Sequence, residues 1–106
     1  MISDDRAEKA VEFFRDNACD LAAARAKAKY LDHKRKVIRS ISFADRSGTI
    51  AEREAWAESS EEYIAILEEY RAAVYEAERL STLLKGAELT IEVWRTQNAN
   101  NRKAHV

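Results

Sequence analysis

Apolar residues recur with a seven-residue period through the last part of the chain. Positions 63, 70, 77, 84 and 91 form one row of the pattern, and positions 66, 73, 80, 87 and 94 form a second row. All ten positions are apolar: Tyr63, Ile66, Tyr70, Ala73, Ala77, Leu80, Leu84, Ala87, Ile91 and Trp94. A run of this length exceeds the three to four heptads that indicate a coiled-coil seam. The pattern therefore predicts a long helix over residues 60–97 with one apolar stripe.

The first part of the chain carries a similar but less regular pattern. Its two rows are 7, 14, 21, 28, 35 and 10, 17, 24, 31, 38, and Asn17 and Arg35 are the only residues in them that are not apolar. Ser3 is a suitable N-cap for this segment. We predict a helix over residues 4–44, of nearly the same length as the last one. Two long helices joined by a compact turn favour an antiparallel hairpin.

A turn is predicted between the two patterns. Gly48 lies in the segment Asp45–Thr49, and glycine readily adopts the left-handed conformation that ends helices. Thr49 and Glu52 then form the T-x-x-E pattern of a capping box. We predict a short connecting helix over residues 50–58.

The same capping pattern occurs again at Ser59 and Glu62, and it predicts the start of the last helix. That helix is expected to end near residue 97, because the asparagine-rich sequence that follows favours helix poorly. Residues 98–106 are therefore predicted to form a frayed tail.

Composition agrees with an all-α chain. The 106 residues include no proline and two glycines, and 35% of them are charged. So few turn-forming residues exclude most β-rich folds. We predict a single domain over residues 1–106. A two-helix hairpin buries little surface, so we expect a homodimer with a four-helix arrangement.

Charge is unevenly distributed along the chain. Residues 25–46 contain eight basic and two acidic residues, whereas residues 47–92 contain four basic and eleven acidic residues. Pairing between these segments in a hairpin would account for much of the asymmetry. Lysine and arginine clusters also bind phosphates, and an exposed tyrosine can stack on a base. The candidate contacts with nucleic acid or with a partner are Lys27, Lys29, Tyr30, Lys34, Arg35, Lys36 and Arg39.

Catalytic chemistry is not indicated. The chain has one cysteine, Cys19, and its histidines do not occur in a metal-binding spacing. No phosphate-binding glycine loop or nucleophile elbow is present, so we predict no enzyme activity, no metal, no cofactor and no small-molecule substrate. The sequence has neither a signal-peptide pattern nor a membrane-spanning apolar run, which places the protein in the cytoplasm.

Three segments resemble a group of small phage and prophage proteins. The first is Ala87–Arg102, which is similar to the pattern A-x-x-R-I-E-V-W-R-[ST]-x-x-A-N-x-R, and the others are Tyr30–Val37 and Ala51–Ala57. The resemblance covers residues 27–103. Where the group often has Ser-Pro-Glu-Tyr, this chain has Ser59–Tyr63. Members of the group tend to be encoded near phage recombination or single-strand-annealing genes, and no catalytic residues come with the resemblance.

The resemblance implies an accessory protein that acts with DNA-recombination machinery in a bacterial host cell. Our leading hypothesis is a non-enzymatic protein-interaction module. Direct nucleic-acid binding through residues 25–46 is the first alternative. The second is inhibition of a host defence protein or enzyme by the acidic stretch 47–92. A secreted hairpin of the WXG type is disfavoured, because no tryptophan lies two residues before Gly48.

Overall fold

The chain forms three helices. The computed structural model describes residues 1–104, and within this range it contains α1 (Asp4–Ala44), α2 (Ile50–Ser59) and α3 (Glu61–Ala104) and no strand. The long helices α1 and α3 pack against each other. This confirms the prediction of an all-α fold with a two-helix hairpin and a short connecting helix.

Side-chain caps fix where α1 and α2 begin. The hydroxyl of Ser3 accepts a hydrogen bond from the backbone N–H of Arg6 at 3.1 Å. Thr49 and Glu52 form both hydrogen bonds of the predicted capping box. Gly48 has a φ of +133°, which L-residues rarely adopt, so the turn before α2 requires glycine at this position.

The cap of α3 differs from the prediction by one residue. The backbone N–H of Tyr63 donates to the hydroxyl of Ser60 at 3.2 Å, and Ser60 has an extended backbone. The hydroxyl of Ser59 instead donates to the carbonyl of Trp56 within α2. Because two consecutive serines can each serve as a cap, the pattern Ser59-x-x-Glu62 selected the wrong one.

The predicted fraying after residue 97 is wrong for the described part of the tail, because α3 continues to Ala104. Gln97 is held by two hydrogen bonds to the backbone of Ile2, and the guanidinium of Arg102 donates to the carbonyl of Asn98 at 3.4 Å. Basic residues in the last turn also complement the helix dipole. The last two residues of the predicted tail lie outside the described residues.

The residues group into two compact units. We call Ala23–Ala77 the turn unit, and Met1–Ala22 with Glu78–Val106 the terminal unit. The turn unit has an apolar cluster made of Leu31, Tyr63, Ile66 and Ala73. Four half-buried residues pack against the cluster, namely Ala28, Ile38, Leu67 and Tyr70.

The terminal unit buries fewer side chains than the turn unit does, namely Ala7, Leu80 and Leu84. Its α1 segment departs from the predicted seam, because Phe14 is 41% exposed while Phe13 is half-buried. A strict seven-residue row drifts by about 20° per heptad on a straight helix, so a neighbouring residue can take the buried side. Asn17, the polar exception in the seam, donates its side-chain N–H to the carbonyl of Phe13 at 2.9 Å.

Candidate interaction surface

All seven candidate contact residues lie on α1 within the turn unit, but they do not form one patch. Arg35 is directed toward the apolar cluster. Its guanidinium donates to Asp32 at 2.9 and 2.8 Å and lies 5.0 Å from the ring centre of Tyr70. Arg35 is therefore a structural residue of the seam, and it is not a free cation for a ligand.

The pKa values of this pair agree with a structural role. Burial raises the pKa of Asp32, but the charges and hydrogen bonds of Lys36 and Arg35 outweigh burial, so the pKa lies below its ordinary value. Burial lowers the pKa of Arg35, but hydrogen bonds with Tyr63 and Asp32 outweigh it, so the pKa is raised. Both groups therefore stay charged across the physiological range.

Arg39 and Lys36 are also paired. The guanidinium of Arg39 donates twice to one carboxylate oxygen of Glu58, at 3.2 and 3.1 Å, and lies 4.0 Å from Glu54. Lys36 is 3.4 Å from Asp32. The basic segment is thus partly neutralised by α2 and by an acid of α1 itself. Glu54 and Glu58 belong to the acidic stretch 47–92, so Arg39 also pairs with two of the carboxylates on which the inhibitor hypothesis depends.

The other four candidates remain exposed. Lys27, Lys29 and Lys34 take part in no ion pair among residues 1–104. The ammonium of Lys34 lies 6.0 Å from the ring centre of Tyr30, at the outer limit of a cation–π contact, and Tyr30 itself is 61% exposed. The four side chains offer three positive charges without an ion pair and one accessible aromatic ring, which Lys34 approaches.

Sequence reasoning missed an apolar stripe on the outer side of α1. Val37 is 42% exposed and Ile41 is 60% exposed. They border a shallow open groove of about 560 Å³, lined by His33, Lys36, Val37, Ser40, Ile41 and Ala44. The positions 30, 37, 41 and 44 follow the same heptad spacing as a seam. A search for a second register on α1 would have found this stripe.

A second groove adjoins the stripe at the turn. Ile41 and Trp56 line it together with serine and acidic residues from the three helices and the segments between them, and its volume is about 480 Å³. These residues are Ser42, Asp45, Ser59, Ser60, Glu61 and Glu62. Trp56 is 46% exposed, and the guanidinium of Arg46 lies 4.6 Å from its ring. The apolar surface therefore extends from α1 to α2.

A third hollow, of about 250 Å³, lies between α1 and α3. It is lined by Ala24, Lys27, Glu69, Ala72, Ala73 and Glu76. Its floor is formed by alanines, whose small side chains leave the gap, and its rim carries one basic and two acidic residues. This arrangement offers neither a metal site nor a nucleophile.

Among residues 1–104, no three His, Cys, Asp or Glu side chains are grouped as metal ligands would be. None of the described helices has a stretch that is long and apolar enough to cross a membrane. Cys19 is a free, exposed thiol. Comparison of the sequence with protein-family models and curated proteins, and of the structure with solved structures, finds no match.

Proposed function

We propose that this chain is a non-enzymatic protein-interaction module of phage or prophage origin, whose partner belongs to DNA-recombination machinery. The observation that carries the proposal is the exposed apolar surface of the turn unit, formed by Val37, Ile41 and Trp56 along two adjoining grooves, with Tyr30 exposed one heptad before Val37. Contiguous apolar surface on a soluble protein is typical of a site that binds another protein. The recombination setting rests on the resemblance of residues 27–103 to small phage proteins.

A binding measurement with a recombination protein tests this function. The purified chain is titrated by calorimetry into a purified phage single-strand-annealing protein. We expect binding that is weakened by Ile41→Asp. The matched control is Ile64→Asp, because Ile64 is also exposed, at 45%, but lines neither groove of the stripe. Absence of heat with annealing proteins from several phages would overturn the recombination setting.

Direct nucleic-acid binding is a second candidate, favoured by the three unpaired lysines beside Tyr30. Three phosphate contacts predict that affinity falls about 20- to 40-fold between 50 and 200 mM salt. Fluorescence anisotropy of labelled single- and double-stranded DNA measures this dependence. We expect the combined change of Lys27, Lys29 and Lys34 to glutamate to abolish binding, whereas Lys36→Glu has a smaller effect because Lys36 is already paired. Binding that survives the triple change would exclude this site.

The homodimer expected from the sequence is also a proposal. Sedimentation equilibrium tests it, because a monomer has a mass of 12.1 kDa and a dimer twice that mass. A concentration-independent mass of 12.1 kDa would exclude self-association.

A further inference from the structure

The stripe on α1 has the geometry of a second helix-packing seam. The inner seam of the turn unit uses Ala28, Leu31 and Ile38, which pack in the cluster with α3. The outer stripe begins at Tyr30 and repeats at intervals of seven, four and three residues to Ala44. Such intervals keep side chains on one side of a helix and are typical of a surface that packs against another helix. One helix therefore carries two seams, and only one of them is covered.

The rim of the outer stripe is positively charged between Lys29 and Lys36, whereas Asp45, Glu61 and Glu62 line the groove on the turn side of Ile41. Lys29 and Lys34 have no ion pair among the described residues, and Lys36 shares Asp32 with Arg35. Asp32 is the only acid in α1 after Asp20, so no free carboxylate of this helix balances the rim. In helix–helix recognition, charges that flank an apolar seam select a partner of opposite charge.

We propose that the outer stripe is a docking groove for an acidic amphipathic helix of a protein partner. This inference rests on the proposed interaction function and names the chemistry of its site. From Tyr30 to Ala44 the stripe spans 15 residues, and the 14 rises between them give a length of about 21 Å at 1.5 Å per residue. The partner helix places aliphatic side chains at heptad spacing along Val37 and Ile41, and it places Asp or Glu against the lysines.

Three other occupants fit the stripe less well. A second copy docked in parallel through the same face would bring Lys29 and Lys34 close to the same lysines of its partner. A copy docked antiparallel would offer these lysines no unpaired carboxylate from the second half of α1, because Asp32 already pairs with Arg35 and Lys36. A single DNA strand would satisfy the lysines but would leave Val37 and Ile41 uncovered. A membrane surface favours helices with a wide apolar face rich in Trp, Phe and Leu, whereas this stripe is one side chain wide at each turn.

Selection from a helical-peptide library tests the proposal without knowledge of the natural partner. A display library of 18-residue helical peptides, randomised without charge bias, is selected against the full chain. We expect enriched peptides to carry aliphatic residues at heptad spacing and an excess of Asp and Glu. Enrichment of neutral or basic peptides, or no enrichment, would overturn the proposal.

Variants locate the binding site of the selected peptides. We expect Ile41→Ser to weaken binding about tenfold and Lys34→Glu to weaken it by a similar factor, while Ile64→Ser leaves it unchanged. Circular dichroism of each variant establishes that the helices are intact. Equal loss in all three variants, or no loss with Ile41→Ser, would overturn the assignment to this stripe.

The competing occupants give different results in parallel measurements. Binding to vesicles of phosphatidylcholine and phosphatidylserine, or to oligo(dT), that is lost in Ile41→Ser would show a lipid or DNA site here and overturn the peptide proposal. A dimer that Ile41→Ser dissociates would show that a second copy covers the stripe. If an annealing protein binds but is insensitive to Ile41→Ser, the recombination setting survives and the groove assignment fails. If acidic helices bind the stripe but no annealing protein does, the groove survives and the recombination setting fails.

Discussion

The turn unit and the terminal unit are both made of α1 and α3 segments, but different interactions stabilise them. The turn unit has an apolar cluster. Guanidinium groups also lie over two aromatic rings of this unit: Arg35 over Tyr70, and Arg53 over Phe43 at 4.1 Å. The terminal unit instead joins residues that are far apart in sequence through polar contacts. The indole N–H of Trp94 donates to Asp4 at 2.8 Å.

This difference predicts unequal stability. A buried aliphatic side chain contributes about 2–5 kcal/mol to stability when truncation to alanine is the measure. A hydrogen bond contributes a net of only about 0.5–1.5 kcal/mol when both partners are neutral, as for Gln97 and Ile2, and about 1.5–3 kcal/mol when the acceptor is a carboxylate, as for Trp94 and Asp4, because the unfolded chain forms hydrogen bonds with water. We therefore expect the terminal unit to open more readily than the turn unit.

Removing a side chain from the apolar cluster has the largest expected effect. Ile66 is 4% exposed, and Ile66→Ala is expected to lower the free energy of unfolding by about 2–5 kcal/mol. The matched control is Ile64→Ala on the same helix, for which we expect less than about 1 kcal/mol because Ile64 is exposed. Urea denaturation followed by circular dichroism measures both. Equal losses would show that the cluster does not dominate the turn unit.

The two glycines are expected to respond in opposite directions to alanine. In the turn unit, a Cβ on Gly48 would lie 2.5 Å from a carboxylate oxygen of Glu52, and φ is unfavourable, so Gly48→Ala is expected to cost about 1–3 kcal/mol. In the terminal unit, nothing lies within 4 Å of a Cβ on Gly86, and Gly86→Ala is expected to add about 0.5–1 kcal/mol. Thermal denaturation distinguishes the two. A loss of stability in Gly86→Ala would show that another group packs against α3 at Gly86.

Breaking the contact between Gln97 and Ile2 tests the terminal unit by itself. The Gln97 side chain accepts from the Ile2 N–H at 3.0 Å and donates to the Ile2 carbonyl at 3.1 Å. We expect Gln97→Ala to lower local stability by about 1 kcal/mol. Amide hydrogen exchange is expected to accelerate in residues 1–22 and 78–104, and to be unchanged in residues 23–77. Thr96→Ala is the control, because Thr96 donates only to Glu92 within α3. Faster exchange throughout the chain would contradict independent opening of the terminal unit.

Low pH is expected to lower the stability of the turn unit and so to reduce the difference in stability between the two units. The expected change is smaller than the changes caused by the substitutions above. The pKa of Asp32 in the folded chain lies below its ordinary value of 3.8. Its contribution to stability is therefore fully present above 3.8, and it is lost as the pH falls through the lower, folded pKa. Urea denaturation at pH 5 and pH 2.5 measures the loss. In Asp32→Asn the change between the two pH values is expected to be smaller, and an identical change would show that Asp32 does not contribute.

The sequence predicted the α3 seam more accurately than the α1 seam. All ten heptad positions of α3 are buried or half-buried, because an uninterrupted apolar row leaves one way to pack. The α1 row passes through adjacent phenylalanines, and the pattern selected Phe14 instead of Phe13. Helix propensity alone gave the wrong end for α3, since a hydrogen bond from Gln97 to a residue 95 positions away is not visible in local sequence.

The candidate contact residues other than Tyr30 were predicted from charge alone, and charge does not reveal pairing. Arg35 and Lys34 are adjacent in sequence, but one contacts Tyr70 and the other is exposed. The 100° rotation between neighbouring residues of a helix separates them. The outer stripe was missed because Tyr30 and Val37 each directly precede a residue of the inner seam, Leu31 and Ile38, which accounts for the apolar pairs without a second register.

The long-range contacts of the terminal unit have a consequence for the order of folding. In the turn unit, Arg53 contacts Phe43 across ten residues and Arg39 contacts Glu58 across 19. Closing the 95-residue loop between Ile2 and Gln97 costs about 2 kcal/mol more entropy than closing a ten-residue loop. We expect folding to nucleate at the turn, with the helix ends joining last. During synthesis on the ribosome, all residues of the turn unit are present once residue 77 has been added. The contact of Ile2 cannot form until Gln97 has been added. A nascent chain can therefore present the outer stripe of α1 before the contact between Ile2 and Gln97 forms.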